Sequence, residues 1–430
     1  MTRMKESGID WIGQIPEEWE VTRIKNFVSI ERGASPRPID KFISDDDTGV
    51  NWIRIGDTYK GNKYITSTRL KITNRGKQFS RYIHPGTLIL SNSMSFGEPY
   101  ISSIYGCIHD GWLSLTPYKN ISKEYLYWLL LSDVCTSQFN LVSIGAVVEN
   151  LSVDKVGNTL VSMPYSLSEQ QKIADFLDKK TAQLDKAKAL LEEQIQKLKD
   201  YRASLIYETV TKGLDKTVPM KDSGIEWIGQ VPEGWREKRL KDYVDFQTGT
   251  TPPQSIGVNQ EGTGVRWFKP GDFTDERVDL TDADNYITSE VIKQQNISVY
   301  PEKTILVVGI ASIGKVGYSE SRSYSNQQIT ALKVVGQILP KYLAYLMFSS
   351  GQYIRETSLY TVVPIINNQY LSSLKIVLPN LEVQESILEY LDRQIEKINR
   401  IINIKKKQID NIDRQRQTLI YDYVTGKRRV

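Results

Sequence analysis

Two stretches of this chain carry apolar residues at seven-residue spacing. Leu177, Leu184, Leu191, Leu198 and Leu205 recur every seven positions, and neither Pro nor Gly interrupts Ser168 to Lys212. Leu391, Ile398, Lys405, Ile412 and Leu419 hold the equivalent places 214 residues on. A second seam there, Leu388, Ile395, Ile402 and Ile409, lies three residues ahead of the first. The second seam of the earlier stretch is weaker, because Thr181 and Lys188 precede Ile195. This spacing predicts two long helices of coiled-coil type. About 40 residues at ~1.5 Å each make a rod of roughly 60 Å. Such helices pack either on their own domains or on each other. The paired seams favour the second arrangement, which is antiparallel if the two halves of the chain are related by a twofold axis. The expected coiled-coil core is Leu177, Leu184, Leu191, Leu198, Leu205, Leu391, Ile395, Ile398, Ile402, Ile409, Ile412 and Leu419.

Outside the two rods the apolar runs are short. Val50 to Ile55, Thr87 to Leu90 and Thr304 to Val308 read as strands punctuated by Gly and Pro, and Tyr125 to Leu131 and Tyr342 to Phe348 read as short helices. The chain also repeats itself. Met4 to Trp19, which contains Gly8-Ile9-Asp10-Trp11-Ile12-Gly13-Gln14-Ile15-Pro16, returns at an offset of 216 residues as Met220 to Trp235. Further anchors follow in order: Gly33 with Gly249, Trp52 with Trp267, Gly56-Asp57 with Gly271-Asp272, Pro85 with Pro301, Ser95-Phe96-Gly97 with Ser312-Ile313-Gly314, and Pro164 with Pro379. A period this long is a duplicated domain, since solenoid repeats run to about 20–50 residues. The expected fold is α+β: two mixed α/β domains at 1–165 and 214–380, alternating with helical spacers at 166–213 and 381–430, in pseudo-twofold arrangement. Frame residues are shared while the surface between them differs, so two copies of one scaffold are expected to read two different things.

Composition narrows the function. The chain has 430 residues, two Cys, two His and a net charge of +4. Two Cys and two His make neither a disulfide framework nor a Cys/His zinc site. No apolar run reaches the roughly 18–20 residues of a membrane span, and the polar, charged N-terminal stretch is unlike a signal peptide, so a cytoplasmic location is expected. Within Ser168 to Lys212 nine Lys/Arg stand against eight Asp/Glu, which suits a solvated rod rather than a basic DNA-gripping helix.

Gly309-Ile310-Ala311-Ser312-Ile313-Gly314-Lys315 imitates a phosphate loop, but Val316 stands where Mg²⁺ needs Ser or Thr, and the other copy has Glu98 where Lys315 falls. The segment reads as a turn, either structural or approaching DNA. No nucleophile elbow, paired-His helix or dinucleotide loop is present, so the chain reads as a binder and not a catalyst. Forked donors suit guanine and amides suit adenine. The DNA-reading candidates are therefore Arg32, Arg37, Arg54, Arg81 and Asn92 in the first copy and Gln247, Lys269, Lys315, Asn326, Gln327 and Gln328 in the second. The alternative for each is a solvated surface residue. Trp11, Trp19, Trp227 and Trp235 are expected in the core or against the helices.

The duplicated Gly8 to Pro16 block with its Trp19, Pro164 with Glu169 to Asp178, and Leu205 to Gly213 with its copy Leu419 to Lys427 together resemble the specificity subunit of type I restriction-modification systems, over essentially the whole chain. The resemblance implies two target-recognition domains, each reading half of a bipartite sequence in double-stranded DNA, and two spacer helices that set the gap between halves. It implies no catalysis and no cofactor in this chain. The expected partners are two methyltransferase (modification) subunits, which use S-adenosylmethionine on adenine N6, and two restriction subunits, which use ATP and Mg²⁺. Lys405, and Val383-Gln384-Glu385 in place of Glu169-Gln170-Gln171, depart from the tidy pattern of the first half. A coiled-coil adaptor without DNA recognition is the alternative.

Overall fold

The computed structural model describes every residue except 1–2, 10, 60, 94, 144–149, 252–257, 260–261, 296 and 359–364. Asp10 and Pro252, which carry part of the repeat, lie outside the described residues. The chain forms two compact units: Met1–Leu190 with Lys407–Val430, and Leu191–Lys406. Each long helix therefore begins in one unit and ends in the other. The first runs Leu167–Lys212 and the second Leu381–Val424.

In the first unit, two five-stranded sheets pack about Ile53, Ile83, Ile89, Ile108 and Trp112, while a larger core joins one sheet to the helices. One has the order Val28–Arg32, Trp112–Pro117, Leu88–Ser91, Pro99–Ser102, Tyr64–Ile65; the other, Ile43–Ser44, Leu70–Ile72, Val50–Ile53, Gly106–Ile108, Arg81–Ile83. Leu88–Ser91 is buried along its whole length, which is why it reads as a continuous apolar run and not an alternating one. Helix Lys123–Leu131 starts where the Ser122 side chain accepts the Tyr125 N–H, an N-cap. In the second unit the corresponding sheets have four strands each: Val244–Thr248, Ile329–Val334, Thr304–Val308, Val316–Ser319; and Val258–Asn259, Tyr286–Ile287, Val265–Phe268, Ser323–Ser325. Helix Pro340–Ser349 takes the place of Lys123–Leu131.

The repeated opening block is a hairpin in both units, pairing Met4–Glu6 with Gln14–Pro16 and Met220–Asp222 with Gln230–Pro232. Its glycines are there for backbone reasons. Gly8 and Gly13 have φ of 73° and 66°, and Gly224 and Gly229 have 66° and 69°, a region that L side chains rarely adopt. Ile12, Ile15 and Trp19 in one block, and Ile228, Val231 and Trp235 in the other, are buried. Trp11 differs from expectation: it is 45% exposed, because its carbonyl and not its indole meets the helix, accepting the Tyr421 hydroxyl at 2.9 Å.

Within each unit the two long helices run antiparallel. In the first, Phe176 stacks near Tyr423 with centroids 4.4 Å apart, Asp185 faces Arg416 at 3.7 Å and Lys188 faces Asp413 at 2.8 Å, so one number rises as the other falls. In the second, Gln194 meets Lys405 at 2.5 Å and Arg202 meets Asn399. Leu177, Leu391, Ile398 and Ile402 are buried; Leu184, Leu191, Leu198, Leu205, Ile395, Ile409, Ile412 and Leu419 are half-buried, as a two-helix seam requires. The polar members of the weaker seam all find partners: Thr181 donates to the Leu177 carbonyl at 2.7 Å, Lys188 takes Asp413, and buried Arg202 takes Asn399. Lys405, which interrupts the other seam, turns its amine to the Gln194 amide oxygen and buries only its stem.

The helices also clasp the domains. Gln170 is fully buried. Its oxygen accepts the Ser122 N–H at 2.7 Å, and its nitrogen donates to the Asn120 and Pro164 carbonyls at 3.0 and 2.8 Å. Gln384 repeats this with the Leu339 N–H and the Pro379 carbonyl, at 2.9 and 3.0 Å. Tyr125 donates to the Val424 carbonyl and Tyr342 to the Val210 carbonyl. Each domain is thus held by the beginning of the helix that follows it and the end of the other helix.

Candidate nucleic-acid interface

A loop of the same backbone design closes one edge of each domain. In the first, the Gly33 N–H donates to the Trp112 carbonyl at 2.8 Å, the His109 N–H to the Ile53 carbonyl at 3.4 Å, the Asn92 N–H to the Gly111 carbonyl at 2.9 Å and the Leu151 N–H to the Asn92 carbonyl at 3.0 Å. In the second, Gly249 donates to Ile329 at 3.1 Å, Asn326 to Phe268 at 3.2 Å, Gly309 to Gln328 at 2.7 Å and Ile366 to Gly309 at 2.9 Å. A Cβ on Gly33 would overlap the His109 carbonyl oxygen, and one on Gly249 the Ser325 carbonyl oxygen. Glycine is required at both places by close backbone approach. Matching bond for bond sets Asn92 against Gly309, His109 against Asn326, Asp110 against Gln327 and Arg54 against Lys269.

On this common frame the side chains differ. In the first domain, the Ser35 hydroxyl donates to Asp110 Oδ1 at 2.5 Å and Arg37 Nη2 to Asp110 Oδ2 at 3.2 Å. Arg32 Nε and Asn92 Nδ2 both donate to the Asp110 carbonyl, at 3.1 and 2.9 Å. Arg81 Nε donates to the Arg32 carbonyl at 2.8 Å, and its Nη1 pairs with Glu31 at 2.7 Å. The Ser35 hydrogen bond, then a backbone N–H and the nearby His109 and Arg37, hold the Asp110 carboxyl below its ordinary range against the effect of burial. Both His109 ring nitrogens face backbone N–H groups, those of Gly111 and Ile55, and burial holds the imidazole below its usual value. Arg54 flanks this cluster, 4.0 Å from Asp57.

In the second domain the described side chains of the equivalent loop are amides and hydroxyls, with Lys269 as the cation beside them. The Thr251 hydroxyl donates to Gln327 Oε1, as Ser35 does to Asp110. Asn326 Nδ2 donates to Gln328 Oε1 at 2.9 Å. A cleft of about 420 Å³ opens beside them, lined by Gln327, Gln328, Asn367, Asn368 and Gln369 with Thr248 and Thr330. Lys269 carries its amine over the Trp267 ring at 4.7 Å.

The structure therefore gathers Arg32, Arg37, Arg81 and Asn92 around Asp110, and Asn326, Gln327 and Gln328 on one turn. Gln247 is turned to the Ser298 carbonyl at 2.9 Å. Lys315 donates to the Phe273 carbonyl at 3.1 Å and lines a different cavity. The strand Val316–Ser319 follows Lys315, where a phosphate loop would open a helix. Asp110, Ser35, Thr251 and the Asn367–Gln369 segment were not among the residues singled out from the sequence. Ser35 and Thr251 each stand two positions after the aligned Gly33 and Gly249, the one signal that could have found them.

Two duplicated domains on paired helices share one loop frame beneath unlike side chains, and comparison with known proteins gives the family. The profile of the type I restriction modification DNA specificity domain matches residues 16–199 and again 232–411. The chain belongs to this family. It is 22% identical to the type I restriction enzyme MjaVIII specificity subunit of Methanocaldococcus jannaschii, over 97% of this chain and 94% of that one. It is 25% identical to the EcoBI specificity subunit of Escherichia coli, over 94% and 84%. Among solved structures, one from a study of complex assembly and conformational transition of the type I R-M system has a TM-score of 0.74 at 17% identity, covering 96% of this chain and 99% of that one. The HsdS subunit from Thermoanaerobacter tengcongensis has a TM-score of 0.51 at 18% identity, covering 96% and 98%. Like its relatives, the chain is a non-catalytic specificity component. No helix among the described residues is long and apolar enough to cross a membrane.

Proposed function

We propose that this chain recognises a bipartite target in double-stranded DNA, each domain reading one half, and positions modification subunits for adenine-N6 methylation and restriction subunits for cleavage. The observation that carries the reading is the loop frame held bond for bond in both domains beneath chemically unlike side chains. Such a pair of faces suits two unlike half-sites, and the two modules on one duplex gain effective concentration because the second contact is intramolecular. Arg32, Arg37, Arg54, Arg81 and Lys269 supply phosphate or base donors, and the amides supply base contacts. The catalytic partners carry S-adenosylmethionine, ATP and Mg²⁺ and are two of each kind. The complex acts in the cytoplasm, where its DNA is. The methylated base is flipped from the stack by the partner, as chemistry on a base requires.

Mapping N6-methyladenine across the host genome, with and without this gene, tests the proposal. Deletion should abolish one bipartite motif. Survival of every motif, together with failure of the purified chain to retain any DNA selectively, would leave the adaptor reading instead.

A further inference from the structure

Asp110 and Gln327 occupy one place in the duplicated frame. Each lies between the residue that donates to Ile53 or Phe268 and the residue whose carbonyl takes Asn92 or Gly309, and each has its side-chain oxygen held by a hydroxyl, Ser35 or Thr251. Both are open to solvent: the Asp110 side chain is 42% exposed, its partner Arg37 is 81% exposed, and Gln327 is exposed. The hydroxyl fixes the orientation of the side chain before any ligand arrives, which spares the binding event that ordering cost.

From this we infer that the position is the base-reading position of both domains: the Asp110–Arg37 pair of the first reads a G·C pair, and Gln327 of the second reads an A·T pair. The inference rests on the DNA-recognition reading above and goes further, to which base each domain selects.

In the major groove guanine offers two acceptors, O6 and N7, and its cytosine a donor, N4. Arg37 presents guanidinium donors beside the carboxylate of Asp110, which only accepts. Together they match a whole G·C edge, whereas at an A·T pair the second guanidinium donor would meet the N6 donor of adenine and the carboxylate would meet the O4 acceptor of thymine. A bare carboxylate on a DNA-facing loop is repelled by phosphates, and the paired arginine removes that penalty. Adenine offers one acceptor and one donor, which an amide answers with its own donor and acceptor. Gln327 Oε1 keeps a second lone pair beside Thr251, and its Nε2 has no partner among the described residues. The cleft beside Gln327 carries the amides of Gln328, Asn367, Asn368 and Gln369 and the hydroxyls of Thr248 and Thr330 among Ile310, Ile365 and Ile366. The face around Asp110 is guanidinium and carboxylate.

The test uses the full chain co-purified with a modification subunit and a pool of randomised duplex DNA, with the retained sequences read out. D110N keeps the shape and removes the charge. It should relax one G·C position in one half-site by about tenfold to a hundredfold and leave the other half unchanged. Q327E should lose an A·T position in the opposite half to the same degree. R37A, on an exposed side chain whose loss cannot unfold the domain, should relax the same position as D110N. The inference is overturned if the wild type selects a bipartite motif and R37A and Q327E select the identical one, or if either variant alters both halves. If the wild type selects no bipartite motif, the DNA-recognition reading itself fails, and that outcome is distinct.

Discussion

The clasp and the reading loop sit in the same duplicated domain and have been treated differently by the sequence. In the clasp, identical side chains repeat: Gln170 with Gln384, Tyr125 with Tyr342, Tyr421 with Tyr207, each bonding the equivalent atom. In the loop the backbone and the hydroxyl of Ser35 or Thr251 repeat, while carboxylate becomes amide, imidazole becomes amide and guanidinium becomes amine. A buried polar group has one geometry that satisfies it and a heavy cost otherwise, so the clasp admits little change. An exposed side chain on a turn meets no such constraint, so the loop can take a different side chain without touching the fold.

If the two clasps are equivalent, Leu177→Ala and Leu391→Ala should each destabilise by about 3 kcal/mol, since both leucines are fully buried and each leaves a cavity. Urea denaturation with fluorescence detection would measure both, and a large cost on one side only would break the equivalence. The next effect sharpens a difference. Gly213 and Gly426 end the two helices with φ of 69° and 72°, so alanine costs about 1 kcal/mol at each from backbone strain alone. At Gly426 a Cβ would also press into the Pro16 ring, whereas at Gly213 it meets Trp235 at 3.3 Å. G426A should therefore be the more destabilising by about 1 kcal/mol or more, and the reverse order would show that the two helix ends are seated differently. The smallest effect concerns pH. His109, with its lowered value, favours the neutral form when folded. Its contribution is complete above its unfolded value near 6.5 and is lost as the pH falls from there through the folded value. His109→Asn, the residue the second domain carries at this place, should remove that part of the acid sensitivity seen in denaturation midpoints between pH 8 and pH 5.

The large features were legible because they are periodic or duplicated. The leucine seams gave both rods, and the Gly-Ile-x-Trp-Ile-Gly block marked a hairpin whose glycines need positive φ. The strands at Thr87 to Leu90 and Thr304 to Val308 were readable as fully apolar runs and stand at Leu88–Ser91 and Thr304–Val308. The reading face was legible only in part. Arginines and amides could be nominated by type, but Lys315 and Gln247 are turned to backbone carbonyls, a choice fixed by contacts distant in sequence. Asp110 was not nominated because phosphates repel a carboxylate, and its pairing with Arg37, 73 positions away, is visible only in the fold. Gln170 carried no signal beyond its repetition as Gln384, since nothing in its neighbours announces full burial.

The clasp has a consequence for the order in which the chain acquires structure. The second unit is one unbroken segment, Leu191–Lys406, whereas the first needs Lys407–Val430 to be complete. Its wall includes Val424, which receives the Tyr125 hydroxyl across 299 positions, and Tyr421, which reaches Trp11 across 410. Contacts so remote form late, because the entropy of closing the loop comes before any reward. During synthesis the residues made first must therefore wait, with part of their apolar surface uncovered, until the last helix arrives. A chain shortened by its final two dozen residues would damage the domain farthest away in sequence and leave the nearer one whole.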